Sequence, residues 1–267
     1  MKQESKMLPG VFSAKKKDGT VYYRSSITFQ NKHISLGSYS TELQAHQAYL
    51  LALSLTNDKT ITLTDYHKDS ILTFEKWVVL LNFRDNKMYF KTPIYLLPKY
   101  FLYYLDSKTE LKFDVDDLFY YSTHKIMRRR GHLFVADYGM QITILSRYGI
   151  RPHAVKGKDY IFVNGDEWDF RYTNIKIMNR YNGVSSHTQN GREIHTAKIH
   201  IHGDFVIGHF KSAATAAIAY NKAADYLSEH GCKKRFTKNY VEDFSSAEYI
   251  AEYDKITLPK KIRDYIF

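Results

Sequence analysis

Residues 183–220 read GVSSHTQNGREIHTAKIHIHGDFVIGHFKSAATAAIAY, and residues 10–49 repeat their pattern near the other end of the chain. Both segments begin with Gly-Val, reach a turn glycine, and place an isoleucine eight residues after it. Both then carry Leu/Ile-Gly-x-Tyr/Phe and a tyrosine ten residues after that aromatic. The copies differ by one residue in each of two turns, where changes of length cost least. A repeat of this size indicates a duplicated supersecondary unit.

Each copy predicts short strands followed by one helix. In the first, Val21–Phe29 and residues 33–39 alternate between apolar and polar residues, as half-buried strands do. Thr41, with Gln44 three residues later, has the sequence of a helix N-cap, and Ser212 takes that place in the second copy. The helices carry small residues on one face, which lets a helix lie close to a sheet. These residues are Ala45, Ala48 and Ala52, and Ala216, Ala219 and Ala223.

The sheet face turned away from the helix is then open to a partner. It carries basic, hydroxyl and imidazole groups, and the major groove of DNA admits a two-stranded β-ribbon, so we expect this face to contact duplex DNA. In the first copy the predicted contacts are Lys15, Lys16, Lys17, Tyr22, Arg24, Ser26, Thr28, His33 and Ser35. In the second they are His187, Arg192, Thr196, Lys198 and His200.

Both copies resemble the Apetala2 (ethylene-response-factor) DNA-binding domain, in which three antiparallel strands pack on one helix and the sheet enters the major groove. The shared features are the Gly-Val start, the strand isoleucine, the Leu/Ile-Gly-x-Tyr/Phe step and the Ala-x-x-Ala-Tyr of the helix. The resemblance implies the fold and a duplex DNA partner, but not the family's target sequence, because its base-reading arginines and tryptophans are replaced. Those positions hold Phe12, Ser26, Thr28, His33 and Ser35, and Ser185, Lys198, His200, Asp204 and Val206.

Charge and composition indicate an ordered protein with a polyanionic partner. The 267 residues carry a formal net charge of +11, which favours nucleic acid first and an anionic membrane second. A hydrophobic share of 44% is enough to form cores and argues against disorder. Cys232 is the only cysteine, which excludes a disulfide framework and a thiolate zinc site.

No segment of the sequence predicts export or a membrane anchor. The N-terminal MKQESKMLPG lacks an apolar core of signal-peptide length. The apolar run 95–105 is short, and Pro98 and Lys99 interrupt it. We therefore expect a cytoplasmic, nucleoid-associated protein without a membrane partner.

The middle of the chain is harder to interpret. We predict three domains, covering residues 1–56, 57–182 and 183–267, of which the last has a C-terminal extension. Residues 71–81 fit a strand or a helix, and residues 82–87 fit a polar turn. Asp114 predicts the N-cap of a helix over residues 115–130 that stops at Gly131. Its last turn either complements the helix dipole or contacts phosphates, and we include its cations among the DNA contacts. They are Arg128, Arg129 and Arg130.

Residues 159–182, DYIFVNGDEWDFRYTNIKIMNRYN, resemble the core of the HNH homing-endonuclease family. That family often joins its core to an Apetala2-type module, and such a module begins here directly afterwards at Gly183. The matching residues are Asn164, Gly165, Asp166, Asp169, Arg171, Asn174, Ile175 and Asn182. The resemblance implies a ββα nuclease scaffold over about residues 132–182, in which an Asp binds a divalent metal and an adjacent His activates the attacking water.

The residues needed for that chemistry are missing. The metal-binding and base positions hold Ile161 and Phe162, and Phe170 replaces the asparagine before the arginine. None of these side chains can bind Mg²⁺ or transfer a proton. No carboxylate or cysteine at ligand spacing accompanies His200 and His202. We therefore predict no catalytic residue, no metal and no cofactor.

Together these observations predict an α+β protein with two small domains, each a three-stranded antiparallel sheet and a helix, around a central mixed domain with a degenerate HNH-like hairpin. The predicted function is site-specific binding of duplex DNA in transcriptional regulation, as in a phage or mobile-element regulator derived from an inactive homing endonuclease. One alternative is an active endonuclease with His153 or His124 as base. Another is a module that binds a protein such as a nuclease. Self-association and protein partners stay open.

Overall fold

The structure, a computed structural model, describes residues 7–265 and is of mixed α+β class with small three-stranded antiparallel sheets, as predicted. The chain divides into two compact units. The first comprises the described residues up to Ile144 together with Asp166–Asn174, and the second comprises Leu145–Gly165 together with those from Ile175 onward. This division differs from the three domains expected from the sequence, because residues 57–144 group with the first repeat.

The first unit contains the first repeat and the middle of the chain. Its strands pair in the orders β1-β2-β3, β4-β5-β6 and β7-β8-β9. The elements are β1 (Val11–Lys15), β2 (Val21–Phe29), β3 (Lys32–Tyr39), α1 (Glu42–Asn57), α2 (Phe74–Asn86), β4 (Ile94–Leu96), β5 (Tyr100–Asp106), β6 (Thr109–Asp114), α3 (Leu118–Thr123), β7 (Ile126–Arg129), β8 (His132–Asp137) and β9 (Met140–Thr143).

The second unit contains a two-stranded pair and the second repeat. Its strands pair in the orders β10-β11 and β12-β13-β14, all antiparallel. The elements are β10 (Tyr160–Phe162), β11 (Ile175–Ile177), β12 (Val184–Gln189), β13 (Arg192–His200), β14 (Asp204–Phe210), α4 (Ala213–Glu229), α5 (Ser246–Lys255) and α6 (Lys260–Arg263).

The two repeats have the same fold in detail, as the sequence pattern predicts. Each is a three-stranded antiparallel sheet followed by a helix, and the third strand has a bulge at the same place, Leu36 in one copy and Ile207 in the other. The predicted N-caps are confirmed, since Thr41 and Ser212 each accept a backbone N–H of the first helical turn. All six predicted alanines are fully buried against their sheets.

A glycine–tyrosine contact explains two of the repeated residues. Gly10 and Gly183 have φ of +76° and +69°, a region that favours glycine. A Cβ at either position would lie 2.2 Å from a ring atom of Tyr49 or Tyr220, respectively. The tyrosine ring on the helix therefore packs directly on the backbone that enters the first strand, and any larger residue at the glycine would displace it.

The core of the first repeat continues past residue 56. Ala52 and Leu55 of α1 share a buried cluster with Trp77 and Leu80 of α2. Buried Arg84 strengthens this junction, since its Nη1 donates to carbonyl oxygens at the end of α1, including Leu55 O at 3.1 Å. Residues 82–87 are therefore not the turn expected from their polarity, because α2 extends to Asn86 and ends at left-handed Lys87.

The prediction of one helix over residues 115–130 is wrong. A 3-10 turn at Val115–Asp117 leads into the short α3, and β7 follows. The hydroxyl groups of Ser122 and Thr123 bond back to carbonyl oxygens of the preceding turn, an alternative to helix propagation. The arginine-rich segment instead pairs with β8 as a hairpin.

The C-terminal extension completes the core of the second repeat. Val241, Ile256, Leu258 and Ile262 are buried in one cluster with the alanine face of α4. Within residues 7–265, no helix is long and apolar enough to cross a membrane.

Candidate nucleic-acid interface

The outer face of the first sheet is opposite α1, and strand alternation assigns its residues. Val11, Ile27 and Ile34 are buried toward the helix, so their strand neighbours point away from it. Cross-strand pairing places Arg24 between Phe12 and Ser38, and Thr28 beside His33. The first outer face therefore consists of Phe12, Tyr22, Arg24, Ser26, Thr28, His33, Ser35 and Ser38.

Most of the first outer face is accessible. Phe12 is 57% exposed, and Arg24, Thr28, His33 and Ser35 are exposed as well. Ser26 is the exception: it is only 8% exposed, contrary to its predicted role as a contact. The Ser26 backbone N–H donates to Gly10 O at 3.1 Å, so the chain entering the first strand lies close to Ser26 at the bulge.

Contacts with Tyr22, two residues earlier on the same strand, fix the position of the Arg24 side chain on this face. Its Nη2 donates to Tyr22 Oη at 2.8 Å, and its guanidinium carbon lies 5.5 Å from the centre of the Tyr22 ring. These contacts occupy one of five N–H donors, and the fork geometry of the others matches a guanine edge or a phosphate. The arrangement fixes a cation at the middle of the sheet.

Three predicted lysines lie beside the first outer face, at the turn between β1 and β2. Lys15, Lys16 and Lys17 are exposed. Asp18 shapes this turn by accepting the N–H of Thr20 at 2.9 Å, and the hydrogen bonds from Thr20 lower the pKa of its carboxyl group. The turn thus places three cations and one carboxylate at one edge of the sheet.

The outer face of the second sheet is arranged differently. Lys198 and His200 are exposed, as are His187 and Arg192, whereas Thr196 is only 5% exposed and is not an open contact. The Thr196 hydroxyl lies 2.9 Å from His209 Nδ1, and this neighbour covers it. We define the second outer face by the residues in these rows: Ser185, His187, Gln189, Arg192, Ile194, Thr196, Lys198, His200, Asp204, Val206 and His209.

His200 is paired with a carboxylate on the same face. Its Nδ1 lies 2.8 Å from Asp204 Oδ1. This hydrogen bond lowers the pKa of Asp204, and the charges of His200, Lys198 and Lys158 lower it further. The turn between β13 and β14 leaves His202 outside the strand, so the two histidines do not share a strand face as a metal pair would require.

The predicted arginine cluster lies at the tip of the β7–β8 hairpin. Arg128, Arg129 and Arg130 are all exposed there, and Arg130 has a φ of 49° in the turn before Gly131. Arg129 lies 5.7 Å from the ring centre of Phe134. The three arginines are therefore accessible to an anion, but they lie at the tip of a hairpin and not at the end of a helix.

The HNH-like segment contains the expected antiparallel pair but not the complete ββα order. Strand β10 pairs with β11, and the next element is β12, with no helix in the described residues between them. Asn174 Nδ2 donates to the carbonyl oxygens of Asp166 and Asp169 at 3.1 and 2.8 Å. The matched polar residues thus fold the connection between the strands.

Buried Asp169 forms an ion pair with half-buried Arg171 in that connection. Arg171 donates to both carboxylate oxygens of Asp169, at 2.8 and 2.6 Å, and these bonds raise the pKa of the guanidinium group. Lys112 Nζ donates to Asp166 Oδ2 at 3.0 Å, which raises the pKa of the lysine. Both carboxylates are therefore engaged by cations of the first unit.

None of the side chains considered for catalysis lies in a cluster suited to it. Phe170 is buried and stacks on Phe113 with ring centres 5.4 Å apart. His124 stacks on Tyr120, and its Nε2 lies 3.5 Å from Asp137, whereas His153 is exposed in the second unit. No group of three His, Cys, Asp or Glu residues suited to a metal ion occurs in the described part of the chain.

Sequence reasoning missed three residues that the structure brings to these faces. Ser38 joins the first outer face because the bulge at Leu36 shifts the alternation, and the following glycine was the available signal. Arg151 and Lys158 approach the second outer face, and no periodicity in their segment indicated it.

Comparison with known proteins adds nothing to this assignment: no family model, curated protein or solved structure matches the chain.

Proposed function

We propose that this protein binds duplex DNA site-specifically and acts in transcriptional regulation, with duplex DNA as its partner. The observation that carries the proposal is the first outer face, where a supported arginine stands among exposed hydroxyl and imidazole groups. Such groups form hydrogen bonds with base edges in a major groove. The helix covers only the opposite side of the sheet, so α1 would not obstruct the approach.

The charge around this face supports the same proposal. Lys15, Lys16 and Lys17 border it, and the whole chain carries a net charge of +11. Phosphate contacts of this kind position a protein on the duplex, while the residues on the sheet read the bases. In the proposed complex, Arg24 and His33 contact bases and the three lysines contact the phosphate backbone of the DNA.

We further propose that the HNH-like hairpin serves as a scaffold and does not hydrolyse DNA. Phe170 is buried in an aromatic stack, and Asp169 is engaged by Arg171. A hydrated cation placed there would lose water without gaining a ligand set. The segment therefore favours a binding protein over the endonuclease alternative.

Selection from random duplexes tests site specificity. Full-length protein is incubated with random duplex DNA, and bound sequences are recovered over several rounds in buffer with Mg²⁺. We expect a defined motif and intact DNA, because discrimination of about 1–3 kcal/mol for each bidentate base contact is enough to enrich a site.

Two controls make that selection decisive. The Arg24→Ala variant in the same buffer is expected to lose the base preference at the arginine's position. Recovery of random sequence by the unaltered protein would reject site-specific recognition, and nicked DNA would favour the endonuclease alternative.

A further inference from the structure

The second unit contains a groove that runs along the second outer face. Its volume is about 870 Å³, in the range of sites that enclose a ligand. One wall is the sheet, with Ser185, Lys198 and His200. The other is the segment of residues 151–159, which includes His153 and Lys158. All the lining residues belong to this unit.

The wall opposite the sheet is fixed by its own hydrogen bonds. Asp159 accepts the N–H of Val155 at 2.7 Å and lies 3.4 Å from Arg151 Nη2. Arg151 Nη1 also donates to Asn182 Oδ1 at 3.0 Å. Arg151 and Asp159 therefore neutralise each other and act as supports, so the charge available to a ligand comes from other residues.

Two lysines supply that charge. Lys158 and Lys198 are exposed on opposite walls, and neither forms an ion pair among residues 7–265. Both lysines line the groove, as does Asp204. Asp204, which is hydrogen-bonded to His200, carries one negative charge against the two lysines, so it offsets only part of the positive charge.

Comparison of the repeats shows that Lys198 has no cationic counterpart in the first copy. Ser26 and Lys198 are equivalent, because each donates its backbone N–H to the glycine that begins its repeat. The first copy thus has a buried serine where the second has an exposed lysine. Two residues further along each strand, Thr28 corresponds to His200. Along the groove, the second copy therefore carries a lysine and a histidine where the first copy carries a serine and a threonine.

The concave shape decides which form of nucleic acid fits. A sheet reads a duplex by entering its major groove, which requires a projecting surface. Here residues 151–159 rise beside the sheet and would meet the DNA backbone first. A cationic groove instead suits one strand whose phosphates follow the channel. We propose that this groove binds the phosphodiester backbone of single-stranded nucleic acid, an inference that rests on the proposed nucleic-acid-binding function.

The test measures binding of full-length protein to a labelled oligothymidylate of about 12 nucleotides by fluorescence anisotropy. Lys158→Ala is expected to weaken binding about tenfold, as for one charge-assisted contact, and to reduce the salt slope by about 0.7. Lys158→Arg is expected to restore binding. Lys233→Ala removes an exposed charge of the same unit outside the groove and is expected to have little effect. Thermal unfolding by circular dichroism confirms that each variant is folded.

The outcomes separate this inference from the proposed function. Binding of a hairpin duplex without binding of oligothymidylate, or equal effects of Lys158→Ala and Lys233→Ala, would overturn the groove assignment alone. Thymidine monophosphate that binds as tightly as the oligonucleotide would replace a strand site with a single-phosphate site and would also overturn it. Oligothymidylate binding that depends on Lys158, without duplex binding, would reject the proposed function.

Discussion

Affinity for duplex DNA is expected to fall by about 10³- to 10⁵-fold when the salt concentration rises from about 50 mM to about 200 mM. A protein that neutralises phosphates releases their condensed counterions, and the logarithm of affinity changes by about −0.9 per phosphate contact for each tenfold rise in salt. Nine of the predicted contacts are lysines or arginines, so the protein has enough cations to give a steep dependence of affinity on salt.

The measurement is anisotropy of a labelled duplex titrated with full-length protein at several salt concentrations. Replacing Lys15, Lys16 and Lys17 by glutamine is expected to reduce the slope by about 0.9 for each lysine that contacts a phosphate. A slope near zero for the unaltered protein would mean that its net charge plays no part in binding, and it would remove the electrostatic support for the proposal.

Gly183→Ala is expected to lower the free energy of unfolding of the second unit by about 2–6 kcal/mol. The backbone there has a φ of +69°, and forcing an alanine into that region costs about 1–3 kcal/mol. The added Cβ would also lie 2.2 Å from Tyr220 Cδ2 and 2.4 Å from the Lys198 carbonyl oxygen, a clash worth about 1–3 kcal/mol more. The contact with the backbone oxygen is hard to relieve by side-chain movement.

Gly191→Ala provides the matched control. Its φ is +74°, but a Cβ there would meet no atom within 4 Å, so only the backbone strain remains. Chemical denaturation followed by circular dichroism compares the two variants. If they lose equal stability, the glycine–tyrosine contact does not hold the repeat together, and its recurrence in both copies needs another explanation.

The repeats could be predicted from sequence because their signals are local. Glycines mark the turns, alternation marks the strands, and Thr41 and Ser212 mark the helix starts. Each of these signals acts within a few residues, and the structure confirms the elements they indicate. The bulge at Leu36 was not anticipated, since an extra residue changes pairing without changing composition.

The middle of the chain could not be predicted in the same way, because tertiary contacts decide it. Residues 115–130 have acidic residues at the start and cations at the end, as a capped helix does, yet pairing of β7 with β8 determines the conformation of Arg128 and Arg129. Likewise, Leu55 and Trp77 meet only once α1 and α2 pack together, so a boundary at residue 56 looked acceptable in sequence.

The candidate site shows the same distinction between local and long-range signals. Strand alternation predicted that Arg24, Thr28 and His33 share one face, and the register agrees. Burial of Ser26 and Thr196 depends on the neighbouring strands, which alternation does not describe. The groove beside Lys198 depends on residues distant in sequence from the repeat's strands, so only the folded unit reveals it.

The central claim is that the first outer face contacts DNA, and one substitution tests it most directly. Arg24→Ala and Lys59→Ala each remove one exposed cation from the first unit, but Lys59 follows α1 and lies off this face. Both variants, checked for unchanged thermal unfolding, are titrated against the duplex recovered by the selection. We predict that Arg24→Ala weakens binding by about 1–3 kcal/mol and relaxes sequence preference, while Lys59→Ala binds nearly as the unaltered protein does. Equal affinities for the two variants would contradict the claim.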